Sequence, residues 1–215
     1  KRRYISRNII NVRAYMMERT PSSRIWPRIG IGGELGYGER TLMRDLFSPG
    51  YYLYLYGYTP GLSPTHGLKL SGLHERRHKG GDYQEALTNT VPRGFPSLVN
   101  TYICNLNWRT KLTADYAVPF AAMDWSFLSP LAYIRNLEFI PHADLTIMPG
   151  EHDTNNLYSI GADLNLRLGN LLWIPYTTRI GIRYDYNGGN CFSRLKEVGL
   201  SVDRHSLRLL MSIDM

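Results

Sequence analysis

The chain has 215 residues, 43% of them hydrophobic and 20% charged, with a formal net charge of +7. This composition excludes a disordered tail, because the apolar residues are numerous enough to bury one sizeable domain. It also excludes a helical membrane protein, since the longest apolar run, residues 116–123, contains Pro119 and falls short of the roughly 18 residues of a spanning helix. The composition does not exclude a membrane-inserted β-barrel, because the apolar residues of its strands alternate with polar ones and leave no long apolar run.

The net charge and the number of cysteines limit the kinds of functional site that the chain can have. The positive net charge suits an acidic partner and an electropositive barrel lumen equally well. Cys104 and Cys191 are too few for a disulfide scaffold and lack the spacing of a zinc site, so we expect neither a metal nor another cofactor. The two cysteines could form a disulfide, although free thiols are our preferred interpretation. Because the chain starts at Lys1 without an initiator Met or a signal segment, we expect a piece of a longer polypeptide.

Nine segments alternate apolar and polar residues along the chain, and each predicts a β-strand. In residues 105–118, for example, Trp108 and Leu112 share one face, whereas Arg109 and Asp115 share the other. Most segments have about 9 to 12 residues, the length of a tilted membrane strand rather than of an average soluble one. The predicted strands are residues 7–15, 28–38, 51–58, 67–73, 105–118, 134–144, 158–167, 179–186 and 206–215.

The predicted connections alternate in length, as in outer-membrane barrels, which have short turns at one rim and long loops at the other. An odd number of antiparallel strands leaves unpaired edges in lipid, so about nine strands imply further strands before Lys1. The alternative is a soluble β-sandwich or lipocalin-like barrel, in which the apolar face points inward. The short connections lie near residues 20–27, 60–66, 121–130 and 168–174, and the long ones near residues 39–50, 76–102, 148–156 and 187–204.

Three motifs stand in order around the longest predicted loop. The loop contains Val91-Pro92-Arg93-Gly94-Phe95, the next strand Asp115-Tyr116-Ala117-Val118-Pro119-Phe120, and the strand after it Phe139-Ile140-Pro141-His142-Ala143-Asp144. They resemble the Arg-Gly-Phe/Tyr loop tip, the acidic-Tyr-x-x-Pro pattern and the Phe-x-Asp pattern of the surface-antigen superfamily, the BamA-like outer-membrane assembly and secretion barrels. The chain departs from this family at its end, where Ser212 to Met215 lack a terminal aromatic residue, and at Leu145, where a glycine is usual.

The resemblance implies an all-β fold, an antiparallel transmembrane β-barrel. Residues 1–215 would be the C-terminal part of a single barrel domain of roughly sixteen strands, in the outer membrane of a Gram-negative-type cell. The implied role is non-enzymatic: insertion or translocation of outer-membrane proteins, or membrane anchorage of a larger envelope assembly. The alternative is a passive porin-like or lipid-handling channel. The implied partners are the lipid bilayer, the remaining N-terminal strands or periplasmic modules of the same protein, and client outer-membrane proteins or other envelope subunits, with no nucleic acid.

The loop at residues 76–102 is expected to fold into the lumen. Parity places Asp115 and Asp144 on the polar faces of neighbouring strands, so a guanidinium entering the lumen could meet both carboxylates. We therefore expect Arg93 to pair with Asp115 or Asp144, Gly94 to allow a close backbone approach, and Phe95 to pack against the lumen wall. We call these five residues the loop lock. The alternative is that Arg-Gly-Phe forms an ordinary surface turn.

The same parity assigns the remaining residues of interest. A lumen polar network of Arg109, Lys111, Glu138 and His142 is favoured over a metal site, because residues on one strand face are about 7 Å apart. The basic run of residues 76–79 at the loop rim could contact acidic lipid headgroups or simply be solvated. The apolar set is expected to face lipid: Trp108, Leu112, Tyr116, Ile160, Leu164, Ile180 and Ile182.

Overall fold

Nine strands and two short helices make up the ordered elements of the computed structural model, which describes residues 8–20, 24–39, 49–78, 86–104, 106–126, 133–150, 153–169 and 176–214. The helices are α1, Ser97–Ile103, and α2, Phe192–Glu197. The strands are β1 Asn8–Met17, β2 Gly30–Glu39, β3 Gly50–Pro60, β4 Gly67–Arg77, β5 Trp108–Trp125, β6 Tyr133–Pro149, β7 Thr154–Gly169, β8 Thr177–Gly188 and β9 His205–Asp214. In the described ranges, no helix is long and apolar enough to cross a bilayer.

All nine strands lie in one antiparallel sheet, in which each strand pairs with the next one along the chain. The all-β class and the strand count are therefore confirmed. β1 and β9 form the two edges and do not pair with each other, as expected, so the described residues form an open sheet rather than a closed barrel. Within the described residues, each edge strand has a row of backbone N–H and C=O groups that face no partner strand.

The two faces of the sheet differ in composition and in exposure: the polar side chains are mostly buried, and the apolar ones are mostly exposed or half-buried. We call them the polar face and the apolar face. Buried side chains of the polar face include Glu75, Arg109, Asp115, Glu138, His142, Asp144, Asp163, Asp185 and Asn187. On the apolar face, Leu112, Ile160, Leu164 and Ile182 are each more than one third exposed, and Trp108, Tyr116 and Ile180 are half-buried. A soluble sheet shows the opposite arrangement.

The apolar core of the molecule lies in the loops rather than in the sheet. Its members come from residues 91–103, from α2 and its flanking residues, and from Met148 and Leu157 near the adjoining ends of β6 and β7. We call the edge of the sheet that carries the described residues 86–104 and 189–204 the loop rim. The two helices, which sequence periodicity did not predict, form where these loops bury Val99, Ile103 and Leu195 together.

The strict alternation of connection lengths is wrong. Only residues 150–153 separate β6 from β7 at the loop rim, because pairing continues as far as Pro149 and Thr154. At the opposite rim, residues 18–29 separate β1 from β2. β5 begins at Trp108 rather than at residue 105 and runs to Trp125 through two register shifts, so it includes part of the predicted connection at 121–130.

Candidate functional site

Arg93 lies over the polar face and binds Asp144 of β6 through several donors. Its backbone N–H donates to Oδ2 at 2.7 Å, its Nε to Oδ2 at 3.0 Å, and its Nη2 to Oδ1 at 2.8 Å. The Asp144 side chain is fully buried, whereas that of Arg93 is 21% exposed. One carboxylate therefore fixes both the main chain and the side chain of the loop tip.

The same guanidinium reaches a second carboxylate on the neighbouring strand. Nη2 of Arg93 donates to Oδ1 of Asp115 on β5, in an ion pair that is also largely buried. Burial opposes the charge of Arg93, but its hydrogen bonds and charge contacts with Asp144 and Asp115 raise its pKa overall. Arg93 thus stays charged and bridges two strands. The sequence analysis expected a contact with only one of the two aspartates.

Gly94 packs against the side chains of β8 with no room for a larger residue. A Cβ on Gly94 would lie 1.8 Å from Oδ1 of Asn187 and 2.8 Å from Cβ of Asp185. Its carbonyl accepts hydrogen bonds from Nδ2 of Asn187 at 3.0 Å and from Nη2 of Arg208 at 2.8 Å. The close approach expected of a glycine is therefore present, and it connects the loop to β8 and β9.

Phe95 is buried in the loop core rather than against the sheet alone. Its ring meets Phe192 of α2 edge to face, with centroids 6.1 Å apart, and only 3% of the residue is exposed. The packing of Phe95 therefore joins the two long loops at the loop rim.

Backbone carbonyls near the loop tip receive donors from the same two strands. Nζ of Lys111 donates to the Val91 carbonyl at 2.7 Å and lies 3.7 Å from Oδ2 of Asp144. The hydroxyl of Thr146 donates to the Thr90 carbonyl at 2.5 Å. Lys111 therefore belongs with the loop lock rather than with a separate lumen network.

Glu75, which the sequence prediction left out, holds the first described part of the loop. Its carboxylate accepts hydrogen bonds from the N–H groups of Leu87 and Thr88, each at 3.2 Å, and from the Thr88 hydroxyl at 2.7 Å. It also pairs with Arg77 at 3.0 Å and with Arg109 at 2.5 Å, and all three ionic side chains are buried. Predicting the end of this strand at residue 73 placed Glu75 just outside it.

The structure places the four side chains expected in a lumen polar network in separate clusters of the polar face: Arg109, Lys111, Glu138 and His142. Glu138 lies 3.8 Å from Arg167 and 3.6 Å from Arg179. Their positions along the strands explain the separation. Arg109 lies at the loop-rim end of β5, whereas Glu138 lies eight residues from Thr146, which is near the loop-rim end of β6. The alternation identified the correct face but not the position along it.

His142 lies between two aspartates of β7 and β8. Its Nε2 is 2.7 Å from Oδ1 of Asp185, and its Nδ1 is 3.6 Å from Oδ1 of Asp163, which a bidentate pair joins to Arg183. The Ser159 hydroxyl donates to the same oxygen of Asp185. Because the carboxylate separates Ser159 from His142, these residues lack the order of a nucleophile and its base. Within the described residues, no three potential ligands come together as a metal site.

Cys104 and Cys191 are both buried free thiols. Burial raises the pKa of each thiol, and at Cys104 the nearby Arg109 and Arg77 oppose this shift. The preferred interpretation of two free cysteines is thus confirmed.

This chain matches no protein-family model, no curated protein and no solved structure. The site therefore has to be interpreted from its own geometry.

Proposed function

We propose that the chain forms part of an outer-membrane β-barrel of the BamA-like kind, in which the loop lock holds residues 86–104 over the polar face. The barrel serves in insertion or translocation of outer-membrane proteins or anchors a larger envelope assembly. In this proposal the polar face lines the lumen, and the apolar face contacts lipid. Further strands of the same protein pair with the open edges of β1 and β9.

The exposure of the apolar face supports the membrane part of the proposal. The outward side chains of β7, Ile160 and Leu164, are exposed between the polar residues Ser159, Asp163 and Asn165, which are buried. β1 to β4 have 10 or 11 residues each, which matches a tilted span of about 9–11 residues. β5 to β7 are longer and extend beyond such a span.

The observation that carries the proposal is the contact of Arg93 with both Asp115 and Asp144. The resemblance to the assembly barrels rests on these three residues, and their side chains meet although 22 and 51 positions separate them in the chain. Two buried carboxylates are costly without a cation, and a loop that formed an ordinary surface turn would not supply one. The contact of Arg93 with both aspartates therefore supports a loop that is held at a fixed position over the polar face.

The second candidate, a passive porin-like channel, predicts a lumen open to solutes. Against it, residues 86–104 are held by β4, β5, β6, β8 and β9 through Glu75, Lys111, Asp144, Asn187 and Arg208. A loop fixed to five strands lies over the polar face that would line such a channel, so we favour the assembly or anchoring role.

The experiment compares Arg93→Ala with the wild type in the intact protein that contains this chain. Two quantities are measured together: insertion of a heat-modifiable outer-membrane client into proteoliposomes, and single-channel conductance in planar bilayers. We expect the substitution to lower client insertion severalfold, because two carboxylates lose their shared cation. Thr65→Ala, at an exposed position of the β3–β4 turn, is the matched control and should change neither quantity.

The two candidate functions give different results. If conductance rises while the wild type shows no client insertion, the passive-channel function is correct and the assembly role is wrong. If the wild type inserts clients and Arg93→Ala inserts them equally well, the loop lock has no part in the function.

A further inference from the structure

The basic run at the loop rim divides between the two faces of the sheet. Arg77 points to the polar face, where its Nε donates to Glu75 at 3.0 Å and its side chain is 4% exposed. Arg76, one residue earlier, points to the apolar face and is exposed. Near the loop rim, the apolar face therefore carries the exposed guanidinium of Arg76.

Aromatic side chains flank this cation in the register of the sheet. Arg76 pairs with Tyr51 of β3 on one side and with Trp108 of β5 on the other. Tyrosine and tryptophan gather where a membrane barrel meets the headgroup region. One row deeper on the same face, Nδ1 of His74 lies 2.9 Å from the Thr110 hydroxyl. This row marks the polar border of the apolar face.

An apolar groove of about 780 Å³ lies on the same face, deeper than this border. Small residues form its floor, with Gly72 between Leu55 and Leu112 in register, and Ala114 opposite Ala143. A Cβ on Gly72 would meet only Cδ2 of Leu112, at 3.5 Å, so the space above this glycine is open.

The distance between the cation and the groove fits within one leaflet of a bilayer. Gly72 and Arg76 are four residues apart on β4, which corresponds to about 13 Å along the strand and, at a strand tilt of about 45°, to about 9 Å along the bilayer normal. The hydrocarbon of one leaflet is roughly 15 Å thick. A guanidinium at headgroup level and a groove in the acyl region of the same leaflet therefore fit one lipid molecule.

We propose that Arg76 and the groove around Gly72 form a binding site for an anionic phospholipid, with the phosphate on Arg76 and an acyl chain in the groove. This inference rests on the proposed membrane location of the apolar face. A lipid is favoured over a partner protein because the groove is almost wholly apolar while the cation stands at one end only, as the charge and the chain of a lipid are arranged.

The test uses the intact protein in phosphatidylcholine bilayers with one of two photoreactive probes, phosphatidylglycerol or phosphatidylcholine with the same diazirine-bearing acyl chain. Crosslinked peptides are mapped and quantified. We expect phosphatidylglycerol to crosslink residues 55–72 and 112–114 about fivefold more than phosphatidylcholine does, the factor for one arginine at an anionic membrane surface.

Three variants locate the site. Arg76→Gln should reduce the phosphatidylglycerol yield to the phosphatidylcholine level, and Gly72→Leu should lower both yields in the groove by filling it. Arg135→Gln is the matched control, since Arg135 is also an exposed arginine at an outward position, but near the opposite rim on β6. It should leave the groove crosslinks unchanged.

The failures are distinguishable. If both probes crosslink the apolar face equally in the wild type, the face lies in lipid but the inferred site does not exist. If phosphatidylglycerol is preferred and Arg76→Gln leaves that preference intact, the assignment of Arg76 is wrong. If neither probe crosslinks the apolar face, the membrane proposal itself fails.

Discussion

The carboxylate of Asp144 accepts both the backbone N–H of Arg93, at 2.7 Å, and its guanidinium Nη2, at 2.8 Å. Asp115 receives the same Nη2 but no backbone donor from the residues that the structure describes. The two aspartates are therefore unequal partners, although they share one arginine. Asp144 is also the more deeply buried of the two, with its side chain fully covered.

This inequality predicts the outcome of removing each charge. Asp144→Asn should lower the free energy for opening the loop by about 3–5 kcal/mol, the usual range for breaking a buried ion pair from one side. Asp115→Asn should cost less, because Arg93 keeps its contacts with Asp144. Hydrogen exchange of the amides in residues 86–104 measures both effects. Equal costs for the two variants would contradict the assigned geometry.

The close approach of Gly94 to β8 predicts that a single methyl group displaces the loop. Gly94→Ala should destabilise the folded loop by about 1–3 kcal/mol, because its Cβ would overlap Oδ1 of Asn187. Gly57→Ala is the control, since a Cβ there meets no atom closer than 3.7 Å. Urea titration of the two variants and the wild type gives the comparison. A Gly94→Ala protein as stable as Gly57→Ala would show that the loop does not lie against Asn187.

The buried ion cluster at the end of β4 predicts a large effect from Glu75. In Glu75→Gln, the guanidiniums of Arg77 and Arg109 lose their shared anion, which should cost about 3–5 kcal/mol. Arg13→Gln is a suitable comparison, because the Arg13 side chain is 61% exposed and its partner Glu34 keeps two other hydrogen-bond donors, so this substitution should cost far less stability. Thermal unfolding in one detergent should rank Glu75→Gln well below Arg13→Gln, and the reverse order would contradict the burial of the cluster.

Burial of the two thiols predicts slow modification at neutral pH. Because burial raises the pKa of Cys104 and Cys191, both stay in the unreactive thiol form over a wider pH range than an exposed cysteine. At pH 7, maleimide should react with the two cysteines of the folded protein far more slowly than it reacts with the free thiol of glutathione. The rate of labelling should begin to rise only at higher pH. After denaturation both should react. Fast labelling of the folded protein would contradict this environment.

The sequence predicts the strand count, the antiparallel order and the faces well, because period-two alternation is a local property that each segment carries independently. It also brings Arg93 to the correct pair of carboxylates, since parity and strand order together limit where Asp115 and Asp144 can point. What it could not give is the position along each strand. Register shifts after Pro119 and around residues 134–136 change which residues become neighbours.

The partners contributed by distant elements were also beyond the sequence argument. Asn187 and Arg208 reach Gly94 from β8 and β9, roughly a hundred residues away in the chain. Their parity on the polar face could have marked them as candidates. Their contact with Gly94 depends on how far the loop extends across the sheet, which packing around Phe95 and Phe192 decides.

The central claim, that the apolar face lies in lipid, is tested most directly by spin-label accessibility along β7. Single cysteines at positions 158–166, in a background with Cys104→Ala and Cys191→Ala, are labelled in the intact protein reconstituted in bilayers. Collision with oxygen, which concentrates in lipid, should peak at Ile160, Ala162 and Leu164 and fall at Ser159 and Asp163, while a water-soluble nickel chelate should not reach the peak positions. A profile in which the chelate reaches Ile160 and Leu164, or in which oxygen accessibility shows no period of two, would contradict the membrane assignment.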